Sequence, residues 1–216
     1  AYQHGSAGEP NMEQARAWLT RSAEGGLATA QVRLGLLMLE RAVYAETRAP
    51  GAQWFARAAV ADDPAGLYYL GRSYELGVGN EPDDALAAAL YRRALGRSGG
   101  RAETALATLI EAGRAQAEAP DEALTLYETA MRSGDGGAFY RYGLVLERRG
   151  DHALAAALFR HGQWLGDCRA AVRAIQARAG RAPQAHVASL RAIRPVSVEQ
   201  CGNPLDPRRH GWRELY

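Results

Sequence analysis

The chain has 216 residues, of which 47% are hydrophobic, and carries a formal net charge of +2. That apolar content is ample for a continuous core and too high for disorder, while a charge so near zero gives no support to nucleic-acid or acidic-lipid binding. No stretch approaches the ~18 consecutive apolar residues that a membrane span requires.

In chain order, Tyr2 and Gly5 stand 72 residues before Tyr74 and Gly77, so the numbering is expected to open inside a repeat, at the end of a first helix. A leader or lipid anchor upstream of residue 1 is left open. Helices are predicted near 11–25, 27–40, 50–61, 64–76, 82–97, 101–112, 119–133, 136–149, 151–165 and 167–179, with a short one near 184–193. One type carries a small residue, then Leu-Gly four positions on, then a bulky residue: Ala30, Leu34, Gly35, Met38, and again Gly66, Leu70, Gly71, Tyr74. The other type shows a stripe such as Ala87, Leu90, Tyr91, Ala94, Leu95. Both spacings keep one helical face apolar. Gly77-Val78-Gly79 and Pro82 supply a turn, and Ser98-Gly99-Gly100 and Ser133-Gly134-Asp135-Gly136 close units. From Pro195 onward Pro204, Pro207 and polar residues predict an irregular tail, whose Trp212, Leu215 and Tyr216 suit it to cap the last hydrophobic face.

The elements recur at a fixed step. Leu34-Gly35 becomes Leu70-Gly71, Leu106-Ala107 and Tyr142-Gly143 at intervals of 36, and Trp18-Leu19 becomes Trp54-Phe55, Leu90-Tyr91 and Leu126-Tyr127. A further copy, Leu158-Phe159 with Gly162, follows after only 32 residues, so four were lost from a turn. A period of this size predicts an all-α solenoid of stacked helix pairs. Its expected extent is residues 1–182, with 183–216 as a capping helix and tail. A mid-helix glycine costs about 1 kcal/mol relative to Ala, so its recurrence points to a close approach by a partner helix.

The pattern Ala15-x-x-Trp18-Leu19-x-x-Ser22-Ala23-x-x-Gly26, followed by Ala30 and Leu34-Gly35, resembles the Sel1-like repeat, a relative of the tetratricopeptide repeat. The best copy is Leu70-Gly71-x-x-Tyr74-x-x-Gly77-x-Gly79 with Asp83, Ala87, Leu90-Tyr91 and Ala94. The second copy departs from it, with Arg41-Ala42-Val43 at the turn, and the tryptophan survives only at Trp18 and Trp54. The resemblance implies a right-handed superhelix of antiparallel helix pairs that acts as a non-enzymatic protein-interaction scaffold. It further implies a periplasmic or secreted protein of a Gram-negative bacterium, serving in envelope assembly, polysaccharide export, signalling or host contact. Cysteine-rich relatives associated with penicillin binding or hydrolysis carry a cysteine pair in each repeat, and this chain lacks that pairing. The alternatives are an accessory of exopolysaccharide export or peptidoglycan handling, and a cytoplasmic signalling regulator.

No catalytic or metal-ligating arrangement emerges. His4, His152, His161, His186 and His210 form no i, i+4 pair, and there is no phosphate-loop Lys or Gly-x-Ser-x-Gly elbow. All 26 basic residues are Arg, a bias that accompanies GC-rich coding. No catalytic residue, cofactor or metal is therefore assigned. Asp83, Asp84, Asp121 and Glu122 fall at helix starts, where they favour the helix dipole. Cys168 precedes a helix and Cys201 lies in the tail; together they suit a disulfide that closes a loop of about thirty residues, worth on the order of 3 kcal/mol. Two separate buried thiols are the alternative.

If Leu34, Gly35 and Met38 face neighbouring helices, the positions at 32, 33, 36 and 40 face the concave side. Their equivalents are Tyr68, Tyr69, Arg72 and Leu76, then Thr104, Ala105, Thr108 and Ala112, then Tyr140, Arg141, Leu144 and Arg148. Tyr and Arg concentrate binding energy because they join apolar area to directional hydrogen bonds. Arg33, Tyr68, Tyr69, Arg72, Tyr140 and Arg141 are accordingly expected to line a groove for a protein or peptide partner.

Overall fold

The computed structural model describes residues 12–41 and 49–179. All regular structure among them is helical: α1 (Met12–Glu24), α2 (Ala28–Arg41), α3 (Ala49–Val60), α4 (Pro64–Leu76), α5 (Asp84–Ala94), α6 (Arg101–Glu111), α7 (Glu122–Arg132), α8 (Gly136–Arg148), α9 (His152–Trp164) and α10 (Cys168–Ala179). The expected spans hold to within three residues at each end. α5 is shorter than its pattern because Asp83, after Pro82, accepts from the Leu86 N–H at 2.9 Å and starts the helix late. Asp121 occupies the same place before α7 but makes no capping bond. The predicted helix near 184–193, the tail, Tyr2, Gly5 and the turn at 42–43 lie outside the described residues.

These helices fall into two compact units, one through Ser98 and one from Gly99. In the first, each helix of α1–α5 packs on its chain neighbour except that α2 also reaches α4. In the second, α6–α10 do the same, and α6 meets α8 and α8 meets α10. Even-numbered helices therefore stack on one another within each unit, and the odd-numbered ones pack against them as a second layer.

Two devices set the spacing. Where an odd helix turns back into an even one, small residues meet: a Cβ on Gly66 would lie 2.5 Å from that of Ala58, and one on Gly162 would lie 2.8 Å from that of Ala170. Where an even helix meets the next odd one, a bare glycine lies under an aromatic ring at three of the four steps, Ala107 of α6 being the exception. A Cβ on Gly35 would stand 2.6 Å from Cε1 of Phe55, on Gly71 2.6 Å from Cε1 of Tyr91, and on Gly143 2.5 Å from Cε1 of Phe159. The rings are among the largest fully buried side chains. Gly143 and Phe159 lie 16 residues apart rather than 20, so the four-residue deletion shortens the turn and keeps the contact.

The turns repeat too. Leu27, Asp63, Asp135 and Asp167 each donate a backbone N–H to the carbonyl five residues back, at 2.9–3.1 Å, closing the end of the odd helix. The left-handed residue just before is glycine in three of these turns and Asp62, at φ 55°, in the other. Asp62 tolerates that conformation better than most side chains. Its carboxylate takes Arg93 at 3.0 Å and Arg97 at 2.9 Å, and these two bonds, Arg97 foremost, hold its pKa below the ordinary value.

Candidate functional site

In the first unit, the residues expected on an open wall separate into two groups. Arg33 on α2 is exposed and Tyr68 on α4 half-buried. Tyr69 and Arg72 are interior, only 4% and 6% exposed, which corrects the expectation that they line a groove. Tyr69 stacks on Phe55 of α3 at 5.3 Å, so its ring belongs to the seam between α3 and α4. Arg72 is buried because its charge is answered locally. Its Nη1 donates to Glu75 Oε2 at 2.7 Å, and the Tyr91 hydroxyl donates to that same oxygen at 2.6 Å. Burial opposes the guanidinium charge, but Glu75, then Tyr68 and Tyr91, more than offset it and hold Arg72 above its ordinary value. Tyr91 is pushed well above the usual tyrosine range by burial first, and then by the Glu75 carboxylate.

The repeat reveals why this polar trio exists. Positions 72, 75 and 91 correspond to Leu36, Leu39 and Phe55 one step earlier and to Thr108, Glu111 and Tyr127 one step later. The odd-helix position is aromatic from the second copy on: Phe55, Tyr91, Tyr127 and, after the shortened turn, Phe159. The ring carries a hydroxyl beside Glu75 and beside Thr108, and none beside Leu36 and Leu39. The Tyr127 hydroxyl stands 3.3 Å from Thr108 Oγ1; burial raises its pKa, and the Thr108 bond, Arg141 and Arg148 work against that rise.

The second unit presents the more open surface. Tyr140, Arg141 and Leu144 of α8 are half-buried and Arg148 is exposed. Spacings of one, four and eight put all four within roughly a third of the helix circumference. Arg169 of α10 holds its guanidinium carbon 5.0 Å from the Tyr140 ring centre, and Arg141 does so at 6.0 Å from the same α8. Arg169 is itself positioned by Asp167 at 2.9 Å, whose other oxygen caps α10 by accepting from the N–H groups of Arg169 and Ala170. Arg173 of α10 reaches Glu147 of α8 at 2.6 Å, and Arg149 reaches Glu111 of α6 at 3.1 Å. These ion pairs bind successive even helices into one wall.

Sequence reasoning missed Arg169 because no periodic position singles it out. The step of 36 between Glu75, Glu111 and Glu147 was a signal for the inter-helix carboxylates. His161 is exposed, stacks on Phe139 at 4.8 Å and lies 6.0 Å from Trp164, itself 82% exposed. His152 is exposed; His4, His186 and His210 lie outside the described residues. Cys168 begins α10, while Cys201 lies outside the described residues, and so does the expected pairing. Among the described residues no three His, Cys, Asp or Glu side chains are grouped so as to hold a metal ion, and no helix is long and apolar enough to cross a membrane.

No protein-family model matches the chain, and no curated protein matches it in sequence. Solved structures do. A protective antigen of uropathogenic Escherichia coli strains, described as displaying an SLR fold, aligns with 85% of this chain at TM-score 0.66 and 21% identity. A Sel1 repeat protein from Oxalobacter formigenes aligns with 80% at TM-score 0.66 and 24% identity. The chain spans 40% and 51% of the lengths of those two proteins. Its fold is the all-helical repeat fold of Sel1-type proteins.

Proposed function

We propose that a chain with this Sel1-type repeat fold serves as a non-enzymatic scaffold that holds a protein or peptide partner on the open face of its even-numbered helices. The observation that supports the reading most directly is the wall of α6, α8 and α10. Salt bridges from Arg149 and Arg173 link its helices, and Tyr140 and Arg141 are half-buried and Arg148 exposed on it. A preformed surface with accessible Tyr and Arg loses little entropy on binding, which is how a repeat protein acquires affinity without a deep pocket. For the Tyr140→Ala/Arg141→Ala chain, recovery of partners captured from the native host is expected to fall at least about tenfold, the 1.4 kcal/mol of a modest hot spot. Arg160→Ala, on the exposed side of α9, should leave recovery unchanged. Equal recovery from both variants, with helical content intact, would remove the even-helix wall from the function.

We further infer an oxidising setting from Cys168 and Cys201, a pair whose bonding would tie the tail to the last repeat, and the likeness to Sel1-type proteins supports the envelope or exterior of a Gram-negative bacterium as that setting. Thiol titration of the purified protein under denaturing, non-reducing conditions is expected to find no free thiol; two free thiols would favour the cytoplasm.

A further inference from the structure

The outer side of α9 breaks the pattern of its layer. Its buried side, with Ala155, Ala156, Phe159 and Gly162, packs on α8 and α10. The opposite side carries Leu154, Ala157, His161 and Trp164, with Leu165 just past the helix; Leu154 is 44% exposed, Leu165 41% and Trp164 82%. One repeat earlier, 32 residues back, the same positions on α7 are Glu122, Thr125, Thr129, Arg132 and Ser133. A helix face that meets only water is polar, as on α7, whereas a contiguous apolar stripe on the outer side of a packed helix marks a contact with another molecule. The aromatic residues of this stripe are ordered in advance. His161 stacks on Phe139 of α8 at 4.8 Å with 26° between the planes, and Trp164 stands 6.0 Å from His161. Side chains already held in one geometry lose little entropy on docking.

The spacing indicates what fits. Leu154, Ala157, His161 and Trp164 follow at steps of three, four and three, the seam by which one helix pairs with another. These steps read the same in both directions, so an antiparallel second α9 presents the same seam. Sizes then complement one another: Leu154 meets Trp164 of the other copy, and small Ala157 leaves room for its His161. We propose that α9 is the contact of a homodimer, in which two chains join by antiparallel α9 helices about a twofold axis and every contact occurs twice. Two chains bury on the order of 1,000 Å² there, the lower limit for a specific interface, so the dimer dissociates in the micromolar range. An extended peptide is a poorer occupant, because it needs main-chain partners that a helix face does not offer, and the stripe's one polar side chain is His161. The contact lies on the odd-numbered layer and is independent of the even-helix wall.

The test is sedimentation equilibrium of the full chain across about 1–200 µM, where the mass is expected to move from monomer to dimer. Trp164→Glu should weaken the dimer at least about a hundredfold, with circular dichroism and the melting temperature unchanged because that side chain is mostly exposed. Arg132→Glu, at the same repeat position on α7, should leave association as it is. Leu154→Asp and Trp164→Arg should each dissociate the dimer, and the two together should restore it, since each new carboxylate then faces the new guanidinium of the other copy. A chain that stays monomeric throughout, or a dimer indifferent to Trp164→Glu, would overturn the proposal. So would a dimer that persists in sodium dodecyl sulfate until reductant is added, because cysteine would then be the link. Failure of the paired exchange to restore association would overturn the antiparallel register.

Discussion

Gly143→Ala is expected to destabilise the protein by about 1–3 kcal/mol, the usual range for forcing an extra methyl into a packed core. Helix propensity alone argues the reverse, because Ala in a helix interior is favoured over Gly by about 1 kcal/mol. The geometry decides between them. The new Cβ would lie 2.5 Å from Cε1, 2.9 Å from Cδ1 and 3.0 Å from Cζ of Phe159, a ring with no exposed surface. The ring has little room to retreat, since Leu146, Ala155 and Ala174 pack in the same cluster and Tyr140 lies 6.2 Å away. The check is a double-mutant cycle by thermal or urea unfolding. Phe159→Leu in the Gly143→Ala background should cost less than it does alone, with a coupling of at least about 0.5 kcal/mol. A Gly143→Ala chain that melts higher than the parent would show that the helices do not approach as described.

The second large effect concerns the buried charge of the first unit. Glu75→Leu deprives the Arg72 guanidinium of its carboxylate and the Tyr91 hydroxyl of its acceptor in one step. Removing one partner of a buried ion pair typically costs about 3–5 kcal/mol, because the other charge stays desolvated. The chain itself contains the apolar solution to the same packing problem. One repeat earlier, Leu36, Leu39 and Phe55 occupy the places of Arg72, Glu75 and Tyr91. Arg72→Leu/Glu75→Leu/Tyr91→Phe is therefore expected to recover most of the loss, since well-packed apolar residues replace buried ion pairs at little or no cost. Denaturant unfolding of the single, double and triple variants measures it. A Glu75→Leu chain within about 1 kcal/mol of wild type would mean that Arg72 is not held by this pair.

Both predictions start from the same periodicity, and that is where the one-dimensional record is strongest. A step of 36 residues, the recurrence of Leu-Gly and the aspartates and glycines between helices were enough to place ten helices, because each copy must bury the same face against its neighbours. The drop to 32 was equally legible as a shortened turn. The start at Pro64 came through because capping is a local interaction, while the Asp83 cap begins α5 two residues later than the expected 82.

The candidate wall was only half legible. Tyr68, Tyr69 and Arg72 hold the same register as Tyr140, Arg141 and Leu144, yet Tyr69 and Arg72 are interior while Tyr140 and Arg141 are half-open. Periodicity assigns a helical face, but burial depends on which side chains from other helices reach that face. Glu75 and Tyr91 draw Arg72 inward, and Phe55 captures the Tyr69 ring. On α8 the Arg72 position is Leu144, so Glu147, the counterpart of Glu75, pairs instead with Arg173 of α10. Arg169 joins Tyr140 only because α10 stacks on α8, a contact between residues 29 apart in a chain whose repeat is 36 or 32. The sequence by itself thus determined the helices, their order and the faces they bury, because those follow from local spacing repeated along the chain. The tertiary structure alone decided which charges are neutralised inside and which remain outside, because that depends on distances between side chains that no period encodes.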